Sequence, residues 1–197
     1  MDLGAQSVFD LPPLTSSILL GVSTSSICAI ITLSAIAALT GKFKFFPPPS
    51  KEGWQHRTFM ALFRLFLYPL VALSLLFFEI APTNIAPLQY GGGSLLLVTG
   101  FALAFWITFR MGWRNAFGAK HGLKTQGWFR ISRNPVYVAT WIGMIGWGLL
   151  ANSALVWVLL ALWAIMYLLA PIFEEPWLEQ QYGQKYLDYK RQTRRFL

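Results

Sequence analysis

Apolar positions in this chain run in long unbroken stretches. Five stand out: Thr15 to Thr40, Thr58 to Ala81, Gly93 to Phe109, Val136 to Leu150 and Ser153 to Ala170. A helix rises ~1.5 Å per residue, so ~20 residues cross a ~30 Å hydrocarbon layer. The first two stretches are long enough alone, the third and fifth are near the lower limit, and the fourth is short. Ala151-Asn152 joins the fourth to the fifth, which predicts a tight helical hairpin. The pattern predicts an all-α integral membrane protein with about five transmembrane helices.

The connections carry their own signals. Phe46-Pro47-Pro48-Pro49-Ser50 cannot be helical, because each proline restricts the residue before it, and reads as a stiff extended connector. Gly91-Gly92-Gly93 reads as a flexible turn, and Pro69 as a kink in the second helix. The segment from Arg110 to Asn134 is long for a connection, and long loops tend to be functional. From Glu174 onward, Leu178, Tyr182, Tyr186 and Tyr189 recur at helical spacing among Lys and Arg. This predicts an amphipathic C-terminal helix, either a surface anchor or a lid over a site. Residues 1–110 are then a three-helix membrane region and 111–197 a loop, hairpin and tail, within one integrated membrane domain.

Composition supports this reading. Of 197 residues, 55% are hydrophobic and 12% charged, roughly half the charged fraction of a soluble domain. Disorder is excluded, as is an intrachain disulfide framework, since Cys28 is the only cysteine. No metal site is expected.

The charge balance is 16 Lys and Arg against 8 Asp and Glu, net +8. In a soluble protein that excess would suggest nucleic acid. Here every basic residue except Arg64 falls in alternate connections: Lys42 to Arg57, Arg110 to Arg133, and Lys185 to Arg195. The intervening connections have none, so the basic bias predicts an N-terminus outside, a C-terminus in the cytoplasm and polar clusters facing the cytoplasm. No nucleic-acid partner is then needed; the bilayer is the partner. No Lys or Arg precedes Lys42, so a cleavable signal peptide is not expected. Arg64, about two turns inside the second helix, either snorkels to the headgroups or faces a polar cavity.

A hairpin returns its ends to one face, so His121, Arg130, Arg133, Asn134 and Tyr137 could converge on Glu174 and Glu175. Paired carboxylates near the membrane need cations, ribose-type hydroxyls or an ammonium group beside them. Alternatively, an Arg–Glu network simply fastens loop to tail.

The order His121-x-Leu123-x-Thr125-x-Gly127-x-Phe129-Arg130-x-x-Arg133-x-Pro135-x-Tyr137, a hairpin, Glu174-Glu175, then Tyr182-Gly183-x-x-Tyr186-x-x-Tyr189 resembles the integral-membrane methyltransferases. These are the isoprenylcysteine carboxyl methyltransferases and the phospholipid N-methyltransferases. The resemblance covers about Lys120 to Leu197, and Arg194-Arg195-Phe196 matches the family's usual ending. It implies S-adenosylmethionine-dependent methyl transfer to a lipophilic or membrane-delivered small acceptor, in a pocket capped by the cytoplasmic loop and tail.

By analogy, His121 and the Gly127 backbone would contact the cofactor's polar end. Glu174 or Glu175 would hold ribose hydroxyls or the methionine ammonium, and Arg130 and Arg133 would meet its carboxylate or order the acidic pair. Trp128, Phe129, Tyr137 and Trp177 supply aromatic faces for a sulfonium. Leu123, Thr125, Asn134 and Pro135 complete the implied cofactor-binding set, with Arg130, Arg133, Asn134 and Tyr137 as positioning candidates. Asn134 stands where relatives often carry His. It hydrogen-bonds but does not titrate near neutrality, so no general base is assigned. Pro171-Ile172-Phe173 stands where eukaryotic carboxyl methyltransferases tend to place an Arg, while Glu174-Glu175-Pro176-Trp177 is closer to the phospholipid version. Gly143, Gly146 and Gly148 either leave room for an acceptor chain or permit close helix packing.

Two other readings compete. Nicotinamide-dependent reductases of the sterol reductase type carry a similar Arg-x-x-Arg-x-Pro-x-Tyr segment but are usually longer. A membrane scaffold or transporter is the non-enzymatic reading, and a transporter would place ionisable groups near the bilayer midplane.

Overall fold

The described residues form six α-helices: α1 Pro13–Thr40, α2 Trp54–Leu76, α3 Gly93–Met111, α4 Pro135–Ala151, α5 Ala154–Tyr182 and α6 Gln184–Gln192. The structure, a computed structural model, describes residues 13–46, 48, 52–112 and 122–197, and those residues contain no strand. Helices α1, α2 and α5 and the segment Leu88–Met111 are each long and apolar enough to cross a membrane, while α4 is a shorter apolar helix of 17 residues. The chain is an all-helical integral membrane protein.

Three local expectations change. Gly91-Gly92-Gly93 is not a flexible turn: Leu88–Gly92 is π-helical and feeds directly into α3. A Cβ at Gly93 would stand 3.0 Å from the backbone nitrogen of Leu150, so close packing on α4 overrides the weak helix propensity of glycine. Helix α5 does not stop at Ala170 but continues through Pro171 and Pro176, carrying Glu174 and Glu175. The tail is not one helix, because Gly183, at φ 53° and ψ −134°, breaks it between α5 and α6. That conformation favours glycine, and it re-aims Tyr186 and Tyr189 relative to Leu178 and Tyr182. The hairpin is as expected: Asn152, at φ 51°, takes the left-handed conformation between α4 and α5.

Helices α1 and α2 form one pair, α3 and α4 another, and α5 packs on α1, α2 and α4. The second pair is antiparallel and meets backbone to backbone. A Cβ at Gly100 would fall 2.2 Å from the nitrogen of Gly143, and one at Gly146 would fall 2.2 Å from the nitrogen of Leu97. Gly148 lies under the Trp157 ring. The α4 glycines therefore serve close packing rather than leaving space for a ligand. Ile27 and Ile30 of α1, Phe66, Leu70 and Leu73 of α2, Met144 of α4 and Leu159, Leu160 and Trp163 of α5 form the core. Trp163 stands 5.6 Å from both Phe63 and Phe66, and 6.3 Å from Phe101, so aromatic contacts span the two pairs.

At the α4–α5 turn a side-chain knot closes the bundle. Gln89 is buried; its Oε1 accepts from Ala81 N at 2.8 Å, and its Nε2 donates to Glu79 O at 2.6 Å and Leu150 O at 3.1 Å. Asn152 Nδ2 donates to the same Glu79 carbonyl, and Glu79 N donates to Ala151 O.

Candidate functional site

At the opposite end, the starts of α2 and α4 and the ends of α3 and α5 surround a cavity of about 410 Å³. One wall is apolar: Phe46 and Pro48 of the first connector, Phe59, Met60 and Phe63 of α2, Thr108 and Met111 of α3, and Met166 of α5. The opposite wall is polar and aromatic: Arg133, Asn134 and Tyr137 at the start of α4, Tyr167, Glu174, Glu175 and Trp177 of α5, and Tyr186 and Tyr189 of α6. Gly122, Leu123, Lys124 and Phe129 of the preceding loop complete the rim.

The neighbouring carboxylates live differently. Adjacent helical residues project about 100° apart, so Glu174 and Glu175 line one cavity but meet different partners. Glu175 is 6% exposed and collects three cations. Arg195 grips it with Nε to Oε1 at 2.8 Å and Nη2 to Oε2 at 2.9 Å; Arg133 Nη2 lies 3.1 Å away and Lys190 Nζ 3.3 Å. Lys190 also binds Glu179 at 2.6 Å. Glu174 has no ion pair among the described residues; its Oε1 accepts from the Tyr137 hydroxyl at 3.0 Å. The Tyr137 ring meets Tyr167 at 4.5 Å. A carboxylate beside a tilted pair of aromatic rings, with no side-chain cation among the described residues, suits a cationic ligand.

Arg133 supplies the complementary charge. Its side chain is 9% exposed and its Nε and Nη1 are buried with no acceptor among the described residues. Such donors suit a carboxylate or phosphate. The cavity is therefore lined by an anion-seeking and a cation-seeking group as well as by an apolar wall.

Helix α6 closes this polar side. Tyr189 donates to the Phe129 carbonyl at 2.6 Å, and its burial pushes the phenol up to about 12. Burial, followed by the nearby Glu175, raises Tyr186 further. The hydrogen bonds to Glu179 and Glu175 raise Lys190 and Arg195 respectively.

Of the expected residues, Leu123, Phe129, Arg133, Asn134, Pro135, Tyr137, Glu174 and Glu175 line the cavity. Thr125, Gly127, Trp128 and Arg130 stand off its wall; Gly127–Arg130 forms a 3₁₀ turn on which Trp128 and Arg130 are exposed. His121 lies outside the described residues. Arg64 is exposed on α2 and away from the cavity, which favours snorkelling over a polar cavity. The Arg–Glu network that the sequence offered as one alternative exists at Glu175, while Glu174 stands outside it with the Tyr137 hydroxyl as its partner. Sequence reasoning missed the apolar wall. Its available signal was the aromatic spacing Phe59, Phe63, Phe66 directly after the Phe-Pro-rich connector.

No curated protein and no solved structure matches the chain. Residues 88–185 match the family model of the phospholipid methyltransferases.

Proposed function

From the match of residues 88–185 to the phospholipid methyltransferase family, we propose that the chain transfers a methyl group from S-adenosylmethionine to a lipid acceptor within the cavity. The observation that carries the reading is that Glu174, with no side-chain cation among the described residues, lines the same cavity as Arg133 with its unfilled donors. An amino-acid end carries one ammonium and one carboxylate, and these two residues complement both. When bound, the cofactor supplies an electrophilic methyl on a sulfonium.

The residues' tasks follow from their chemistry. Glu174, oriented by the Tyr137 hydroxyl, attracts positive charge, and the faces of Tyr137 and Tyr167 add to it. Arg133 binds the anionic end. The apolar wall of Phe46, Phe59, Met60 and Phe63 excludes water and receives the acceptor's hydrocarbon. Catalysis is then chiefly alignment of acceptor against methyl, with no protein nucleophile. The alternating basic connections support a reading in which the cavity faces the cytoplasm, with five crossings and the start of the chain outside.

Ligand-dependent thermal stabilisation tests this. In nanodiscs, S-adenosylhomocysteine at 100 times its dissociation constant stabilises by ~2.7 kcal/mol, while NADPH does not. Stabilisation by NADPH alone would replace this reading with the reductase one. Glu174→Gln should weaken S-adenosylhomocysteine binding while preserving the fold; unchanged binding removes Glu174 from the ligand site.

A further inference from the structure

The segment 193–197 folds back from α6 across the start of α4. Arg133 N donates to Arg194 O at 2.9 Å, and Asn134 Nδ2 and Ser132 Oγ donate to Arg195 O at 2.9 and 3.3 Å. The Phe196 ring packs on Trp141 at 4.9 Å. This strap therefore fixes the backbone corner that presents Arg133 and Asn134 to the cavity.

Its side chain acts on the same corner. A carboxylate accepts one planar guanidinium fork across its two oxygens. At Glu175 that fork is Arg195, leaving Arg133 a single contact through Nη2. The Nε and Nη1 of Arg133 remain buried without an acceptor among the described residues. Unfilled donors on a buried cation are costly, so without the Arg195 fork Arg133 would turn a second N–H onto Glu175, beside Lys190 at Oε2.

We infer that Arg195 is a positioning residue: by occupying both oxygens of Glu175 it holds Arg133 with donors available for the anionic end of the ligand. Identifying that end as the cofactor's carboxylate rests on the methyltransferase reading above. Arg195 does not line the cavity; it acts through Arg133.

The experiment compares two probes by calorimetry on the full chain in nanodiscs. S-adenosylhomocysteine carries the amino-acid end, and 5′-methylthioadenosine keeps the nucleoside and sulfur but lacks it. Wild type binds the first more tightly. Arg195→Ala weakens S-adenosylhomocysteine by about tenfold or more, with 5′-methylthioadenosine changed by less than about twofold. Arg195→Lys, which keeps the charge without the fork, falls between and supplies the same contrast if the alanine variant does not fold. Equal loss of both probes would make the strap a general fastener and overturn the proposal, as would no loss of either. Failure of wild type to bind S-adenosylhomocysteine would overturn the cofactor reading itself, and this inference with it.

Discussion

The two ends of the α4–α5 hairpin face the same problem, polar groups at the rim of an apolar bundle, and solve it in opposite ways. At the turn, one neutral amide, Gln89, reaches three backbone groups. At the other end the groups are charged and, among the described residues, unevenly matched: Glu175 has three cations, Glu174 has none, and Arg133 keeps donors unfilled. A knot that uses its own polar capacity is finished structure. A cluster that leaves specific charge unmatched beside a cavity is poised for a ligand, since burying such groups alone is costly.

The largest test of that contrast is Glu175→Ala. It leaves Arg133, 9% exposed, without its counter-charge, and should cost about 3–5 kcal/mol in denaturant unfolding. A loss below about 1 kcal/mol would show that the charged end is as dispensable as an ordinary surface ion pair. Next comes Gly100→Ala. Its Cβ would meet the α4 backbone at 2.2 Å, for about 3 kcal/mol of overpacking. Gly21→Ala, with nothing within 4 Å, is the matched control and should show no loss of melting temperature.

Gln89→Leu should cost about 2 kcal/mol by stranding buried backbone groups, yet leave ligand affinity unchanged in the same preparation. Altered affinity would erase the distinction between the two ends.

The smallest effect is alkaline. Tyr189 is raised from the ordinary 10.0 to about 12, and Tyr186 and Lys190 are also raised. The folded state then holds protons that the unfolded chain releases from about pH 10, so stability is full below that pH and falls as pH rises through 12. Tyr189→Phe should cost about 1 kcal/mol at pH 7 through the lost hydrogen bond to Phe129. It should also flatten part of the loss seen in melting curves between pH 10 and 12; an unchanged slope would remove Tyr189 from it.

Legibility in the sequence followed the range of the interaction. The long apolar runs and the Asn152 turn are local and were readable from hydropathy and spacing. So was the meeting of the two polar clusters, because a hairpin forces its ends together. The roles of Glu174 and Glu175 were not separable, since adjacent letters look alike and only the helix's rotation sends one to Arg195 and the other to Tyr137. Phe46, Phe59 and Met60 were not legible as site residues, because their place depends on how the α1–α2 pair leans on α5. Gly91 to Gly93 misled for the same reason: a glycine run signals a turn until a partner backbone needs the missing Cβ.

The glycine contacts between α3 and α4 also govern how the molecule deforms. Two helices in backbone contact have no side-chain cushion to slide on, so they are stiff as a pair. Widening of the cavity must then be accommodated by the α1–α2 side, whose packing is built from larger, rotatable side chains. In mechanical terms α3 and α4 are the frame, and α1 and α2 the leaf that hangs on α5.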